Sequence, residues 1–157
     1  MSQATTLEQA LHDHLKKDTV IQGKVGDKVY LGRVPQAGEK PIPSRCIVIN
    51  DFSRSPDYHT GGEIGLTTTT VQVDVWARDP DATELLNDSE GSIGEAVRQQ
   101  LSGFRGDVGT VSIKSSTTQR DNLTASRPDD GSDNWLRRRS FDFRIIHSMP
   151  TVSATVY

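Results

Sequence analysis

The stretch Leu66-Thr67-Thr68-Thr69-Thr70-Val71-Gln72-Val73-Asp74-Val75-Trp76-Ala77 decides how this chain folds, because its side chains alternate strictly. Thr67, Thr69, Val71, Val73, Val75 and Ala77 lie on one face; Thr68, Thr70, Gln72, Asp74 and Trp76 lie on the other. A period of two with β-branched residues on both faces specifies a strand. Arg78-Asp79-Pro80-Asp81 ends it, since proline lacks the N–H that a sheet ladder needs. Ala82, Leu85, Leu86, Ile93, Ala96, Val97 and Leu101 then fall near helical spacing and predict one long amphipathic helix that stops at Gly103. This strand and helix form the frame against which the rest must pack. No chemistry is visible in them.

Working outward, Thr5 or Thr6 can cap a first helix, with Glu8 placed for a capping box and Leu7, Ala10, Leu11, His14 and Leu15 as its apolar stripe. The helix is expected to fade by Asp18, with a turn over residues 23–27. Lys28-Val29-Tyr30-Leu31 reads as a short strand, and residues 32–44, with Pro35, Pro41 and Pro43, as a loop. Arg45-Cys46-Ile47-Val48-Ile49-Asn50-Asp51-Phe52 is apolar on both faces, which predicts a covered strand pairing antiparallel with the Leu66 strand. Residues 53–65 read as a polar loop in which Gly61-Gly62 supplies hairpin chemistry. Strands are expected over residues 110–116 and 135–147, the latter with Phe141, Phe143 and Ile145 toward the core. Residues 120–134 read as a projecting loop and 148–157 as a tail or arm. The expected fold class is α+β: a mostly antiparallel or mixed sheet of about four to five strands, with two helices packed on one face. The expected organisation is a single domain over residues 1–157, its core at about 5–147 and a C-terminal arm at 148–157.

Composition narrows the function. Of 157 residues, 33% are apolar and 25% charged, so the core is lean and subunit contacts in an assembly would complete its burial. The net charge of −3 argues against a general nucleic-acid binder. The one cysteine, Cys46, allows no internal disulfide. No signal-peptide pattern opens the chain and no run approaches the ~20 apolar residues of a membrane span, so a soluble protein of a reducing compartment is expected.

The candidates for chemistry are weak. His12 and His14 are two residues apart and so do not share a helix face, which is poor ligand spacing. Asp57-Tyr58-His59 could support acid–base work, and Cys46 with His59 a small hydrolase or metal site, but a polar contact loop is the plainer reading. Asp129-Asp130-Gly131-Ser132-Asp133 lacks the acid spacing and distal glutamate of a calcium loop. The glycines around Gly61 lack the lysine of a phosphate loop. Arg137-Arg138-Arg139 is the densest basic run. On a strand, Arg137 and Arg139 point one way and Arg138 the other. Such a run pairs with carboxylates of its own sheet or meets an acidic partner. No catalytic, cofactor-binding or metal residue is assigned. The candidate protein–protein interface comprises Asp57, Tyr58, His59, Arg120, Asp129, Asp130, Arg137, Arg138, Arg139 and Tyr157.

Several segments together carry a resemblance: the helix opening Leu7-Glu8-Gln9-Ala10-Leu11; the turn and strand Val25-Gly26-Asp27-Lys28-Val29-Tyr30; Pro35 and Pro43 ahead of Ile47-Val48-Ile49; the strand Val71-Gln72-Val73-Asp74-Val75-Trp76; Leu101-Ser102-Gly103-Phe104-Arg105-Gly106; and Phe141-Asp142-Phe143-Arg144-Ile145. From Leu7 to about His147 the chain resembles the tail terminator proteins (tail completion, or head–tail joining) of long-tailed bacteriophages and prophages. It departs from their pattern at residues 120–134 and 148–157. The resemblance implies a structural virion protein and no enzyme or cofactor. It implies a homohexameric ring that caps the tail tube, ends tube polymerisation and joins the tail to the head-side connector or stopper protein. The implied partners are further copies of the chain, the tail tube protein and the connector. DNA would only pass through the lumen, and no membrane is involved. The implied place is the neck region of the virion tail, after assembly in the host cytoplasm. A neck or connector adaptor, or another minor tail protein, is the alternative.

Overall fold

The computed structural model describes residues 6–32, 45–59, 62–78, 82–108, 111–126 and 136–148. Its elements run α1 (Leu7–Lys16), α2 (Thr19–Val25), β1 (Val29–Leu31), β2 (Arg45–His59), β3 (Gly62–Arg78), α3 (Ala82–Leu86), α4 (Ile93–Leu101), β4 (Gly106–Val108), β5 (Val111–Ser126) and β6 (Leu136–Ser148). The strands form a six-stranded sheet in the order β1-β2-β3-β6-β5-β4. Only the β1–β2 pair is parallel, so the sheet is mixed but mostly antiparallel.

The α+β class is as expected, and the strand count and helix packing differ. The alternation of β3 holds: Val71, Val73, Val75 and Ala77 are fully buried. In register beside them stand Ile47 and Ile49 of β2, and Phe141 and Phe143 of β6. Leu7, Leu11 and Leu15 of α1, Ile21 of α2, Leu86 of α3, and Ile93, Val97 and Leu101 of α4 close this face into one core. Thus four helices, not two, lie against it among the described residues.

The expected long helix after β3 is broken. Asn87 Oδ1 accepts from the Ser89 backbone N–H at 3.0 Å, and Ser92 Oγ accepts from the Glu95 N–H at 3.0 Å. These side chains offer the backbone a turn and a fresh N-cap, so α3 ends at Leu86 and α4 begins at Ile93. Gly103, with φ 75°, follows the end of α4, as its lack of a Cβ allows. A further helix, α2, stands where a fading end and a turn were expected. Asp18 caps it, accepting from the N–H groups of Val20 and Ile21 at 2.9 and 3.1 Å.

The hairpins are longer than expected. β2 runs on past Phe52 to His59, with register shifts between Asp51 and Ser53 and between Pro56 and Tyr58. Proline is tolerated there because, among the described residues, β1 covers β2 only at Ile47–Ile49 and leaves the strand as an edge beyond. β5 likewise runs through Arg120 to Ser126, paired with β6 where a loop was expected. β4 is an additional short strand after the turn at Gly103. Residues 33–44, 127–135 and 149–157, expected as a loop, part of a projecting loop and a tail or arm, lie outside the described residues.

Candidate functional site

The three arginines on β6 part company. Arg139 shares the face of Phe141 and Phe143, and only 5% of it is exposed. Its Nε and Nη2 donate to the two oxygens of Asp121 at 2.9 and 2.7 Å, a bidentate fork. Nη2 also donates to Asp88 at 2.7 Å, and Nη1 donates to the carbonyls of Leu86 and Asn87 at 2.9 and 3.0 Å. The guanidinium therefore closes the C-terminal end of α3 and ties the α3–α4 turn to β5. Arg139 is engaged inside its own subunit, and the basic run is not a single patch. The period of two already places Arg139 on the phenylalanine face, a signal that could have found it.

Arg138 points to the opposite face, away from the described helices. Its guanidinium lies 5.2 Å from the centre of the Trp76 ring and its Nη1 lies 4.0 Å from Asp74. Asp74 is buried and accepts from Ser140 Oγ at 2.6 Å and from Gln72 Nε2 at 2.9 and 3.1 Å. A polar seam thus crosses β3 and β6. Arg137 stands in register with Ala77 and Ala125. Arg120 is exposed on β5, beside Asp142 of β6. Asp57, Tyr58 and His59 lie on β2 by their backbone, while their side chains, like Asp129, Asp130 and Tyr157, fall outside what is described.

The register sets the two hairpins at opposite ends of the sheet. β6 ends where Ser148 meets Leu66, so the β2–β3 hairpin, with Asp57 to His59, continues beyond it. At the other end Leu136 meets both Arg78 and Ser126, where β5 ends and β6 begins. Both flanks of the sheet are open in part. Among the described residues no strand pairs with the outer edge of β2 beyond Asn50, nor with that of β5 beyond Ile113. Beside the β2 edge is a pocket of about 460 Å³ lined by Thr6, Glu8, Leu31, Gly32, Ile49 and Asn50. Glu8, one of its lining residues, is ion-paired with Arg54.

The groups considered for chemistry are dispersed. Cys46 and His59 stand near opposite ends of β2, roughly 40 Å apart at the rise of a strand, too far for a nucleophile and its base. Burial pushes the Cys46 thiol up to about 11, so it stays protonated at neutral pH. His14 Nε2 donates to the Gln100 carbonyl at 3.2 Å and its ring packs 4.3 Å from Phe104. His147 Nδ1 donates to the Ser148 carbonyl at 3.0 Å, which leaves Nε2 to accept from Thr69 Oγ1 at 2.8 Å. No group of three or more His, Cys, Asp or Glu side chains among the described residues is arranged to hold a metal ion. No described helix is long and apolar enough to cross a membrane.

Burial holds His147 and His14 below the ordinary histidine value of 6.5. The unfolded chain then takes up protons near 6.5 that the folded chain resists, so stability falls as pH drops through that value and is level above it. Urea midpoints measured from about pH 7.5 to about 5.5 should decline, and His147→Asn should decline less. Equal slopes in the two proteins would show that His147 contributes nothing to the pH dependence.

The chain matches the family described as tail completion protein gp17 over residues 9–148. It belongs to that family. Among solved structures it is similar to a chain from the virion of a native gene transfer agent particle, with 17% identity and a TM-score of 0.62, over 94% of this chain and 99% of that one. At that identity the likeness is one of fold. No curated protein matches the chain. As a tail completion protein the chain is a structural component of the virion tail.

Proposed function

We propose that this tail completion protein is the subunit of a hexameric ring that caps the tail tube, halts its growth and presents a docking face to the head-side connector. One observation supports the reading above the others: among the described residues no further strand pairs with the outer edge of β2 beyond Asn50 or with that of β5 beyond the Ser116 carbonyl, which accepts from the Gly103 N–H, and the two edges run in opposite directions. β2, β3, β6 and β5 alternate in direction, so β5 of one copy laid beside β2 of the next would continue the sheet antiparallel. An interface of one edge against the other is head-to-tail, and such interfaces close into rings when the rotation permits. The open edges are also a hazard for a lone subunit, and a ring would remove them.

In this reading the chain acts as one domain, the hairpins at the two ends of the sheet make the axial contacts, and the role is structural, not catalytic. Asp57 to His59 would lie on one axial surface, with Asp129 and Asp130 on the other. Arg120, on the outer strand β5, would lie toward a neighbouring copy, Arg137 and Arg138 would stand by the Leu136 end of the sheet, and residues 148–157 with Tyr157 would serve as an arm. A subunit of net charge −3 limits non-specific capture of DNA passing the lumen, since lysine and arginine contacts to phosphate dominate such binding. The test is removal of the gene. Overlong tails, or heads and tails left unjoined, are expected; normal infectious particles would overturn the proposal. Labelling the protein would distinguish a terminator, between tube and connector, from an adaptor elsewhere in the neck.

A further inference from the structure

Two large apolar side chains are exposed among the described residues: Leu123 at 61% and Leu31 at 41%. They lie on opposite flanks of the sheet. Leu31 ends β1, the outermost strand on one side. Leu123 is on β5 beyond the three residues that β4 covers, so β5 is itself outermost there among the described residues. Both side chains are directed to the helix-bearing side. Leu31 stands in register with Ile49, and Leu123 with Arg139, each of which points into that layer.

Their heights along the strands also agree. Leu123 is level with Arg139, then Val75, then Ile47; Leu31 is level with Ile49. The offset is two residues of one strand, about 7 Å, a stagger that adjoining copies can take up. Leu31 is no isolated exposed leucine, because it forms a wall of the pocket of about 460 Å³ with Ile49, Gly32 and the start of α1. Among the described residues Leu123 has no such cover on its own flank, where residues 119–125 are all exposed. One flank thus offers a protruding leucine and the other a recess with an aliphatic wall, at matching height and on the same side.

We propose that Leu123 of one copy seats in the recess around Leu31 of the next and forms the apolar lock between neighbouring subunits. The occupant is a second copy of this chain. The strand carrying Leu123 runs antiparallel to β2, so a copy in the same orientation brings Leu123 to the recess without inverting the molecule. A contact within one chain is excluded, because four strand spacings separate β1 from β5, about 19 Å. The lock rests on the ring reading above and deepens it by naming the residues that join the subunits.

Cysteine pairing tests it in assembled tails carrying the full chain. A disulfide requires Cα atoms within about 7 Å, so Leu31→Cys with Leu123→Cys in one chain can be joined only between copies. Buried Cys46 stays as a silent control. Oxidation of the double variant should give a ladder of covalent oligomers that ends at the closed ring, and each single variant should give none. In parallel, Leu123→Asp should keep the wild-type circular dichroism spectrum and lose at least tenfold in tube-bound protein. Absence of the double-cysteine ladder in tails whose wild-type counterparts show a terminal ring overturns the lock and leaves the ring standing. Absence of any ring in the wild-type tails overturns the ring reading, and the lock with it.

Discussion

Replacing Arg139 with alanine is expected to destabilise the fold by about 3 kcal/mol, through lost hydrogen bonds to carbonyls and the void its stem leaves. The side chain is 6% exposed, but its carboxylate partners are not equally enclosed: Asp121 is 35% exposed and Asp88 is 84% exposed. Once released, both can be rehydrated, and the Asp88 contact is worth little. The main loss lies elsewhere. The Leu86 and Asn87 carbonyls lose their donor, the first of them in a buried contact, and the stem leaves a void under α3 and α4. Gly94 shows how closely the arginine fits: a Cβ there would sit 2.8 Å from the Leu86 oxygen and 2.9 Å from Arg139 Nη1. At about 2–4 °C per kcal/mol for a domain of this size, the melting temperature should fall by roughly 6–12 °C. Arg139→Lys should recover less than half, because an ammonium cannot make the bidentate fork. A melting temperature within about 2 °C of wild type would show that the strut contributes little.

Val73→Asp should have the larger effect and abolish soluble folding. Val73 is fully buried at the centre of β3, between Ile49 and Phe141 in register. The substitution removes about 1.5–3 kcal/mol of apolar burial and adds a carboxylate among aliphatic and aromatic side chains. The combined cost competes with a total stability of about 5–15 kcal/mol. The next residue is a natural comparison. Asp74 is also buried, but it faces away from the helices and has Ser140, Gln72 and Arg138 around it. Thr70→Asp, half-buried on that same face, should express and fold. A folded, soluble Val73→Asp protein would mean that the inward register of β3 is misassigned.

How far the sequence discloses the fold depends on whether burial imposes a period. The Val71, Val73 and Val75 alternation, the Phe141, Phe143 and Ile145 strand and the stripes of α1 and α4 all line one core, and each is readable in advance. The outer half of β5 is not. Arg120, Asp121, Asn122 and Thr124 are exposed and interrupt any apolar alternation, so backbone pairing with β6 is what makes them a strand. α2 is hidden for another reason: its β-branched Thr19, Val20 and Ile21 and its Gly23 are poor helix formers, and the Asp18 cap with burial of Ile21 and Val25 overrides them. The break between α3 and α4 was readable in Asn87 and Ser92 as turn and cap residues, but continuous apolar spacing masked it. The proposed interface is the least readable part. Leu123 sits in a polar run, and its distinction is exposure, which a sequence does not carry.

The central claim, that a ring of this protein ends tail growth and readies the tube for the head, is tested most directly by the tail-length distribution of particles assembled without the protein. A broad distribution running beyond the normal length, with heads unattached, is expected. Tails of normal, uniform length joined to heads would contradict it.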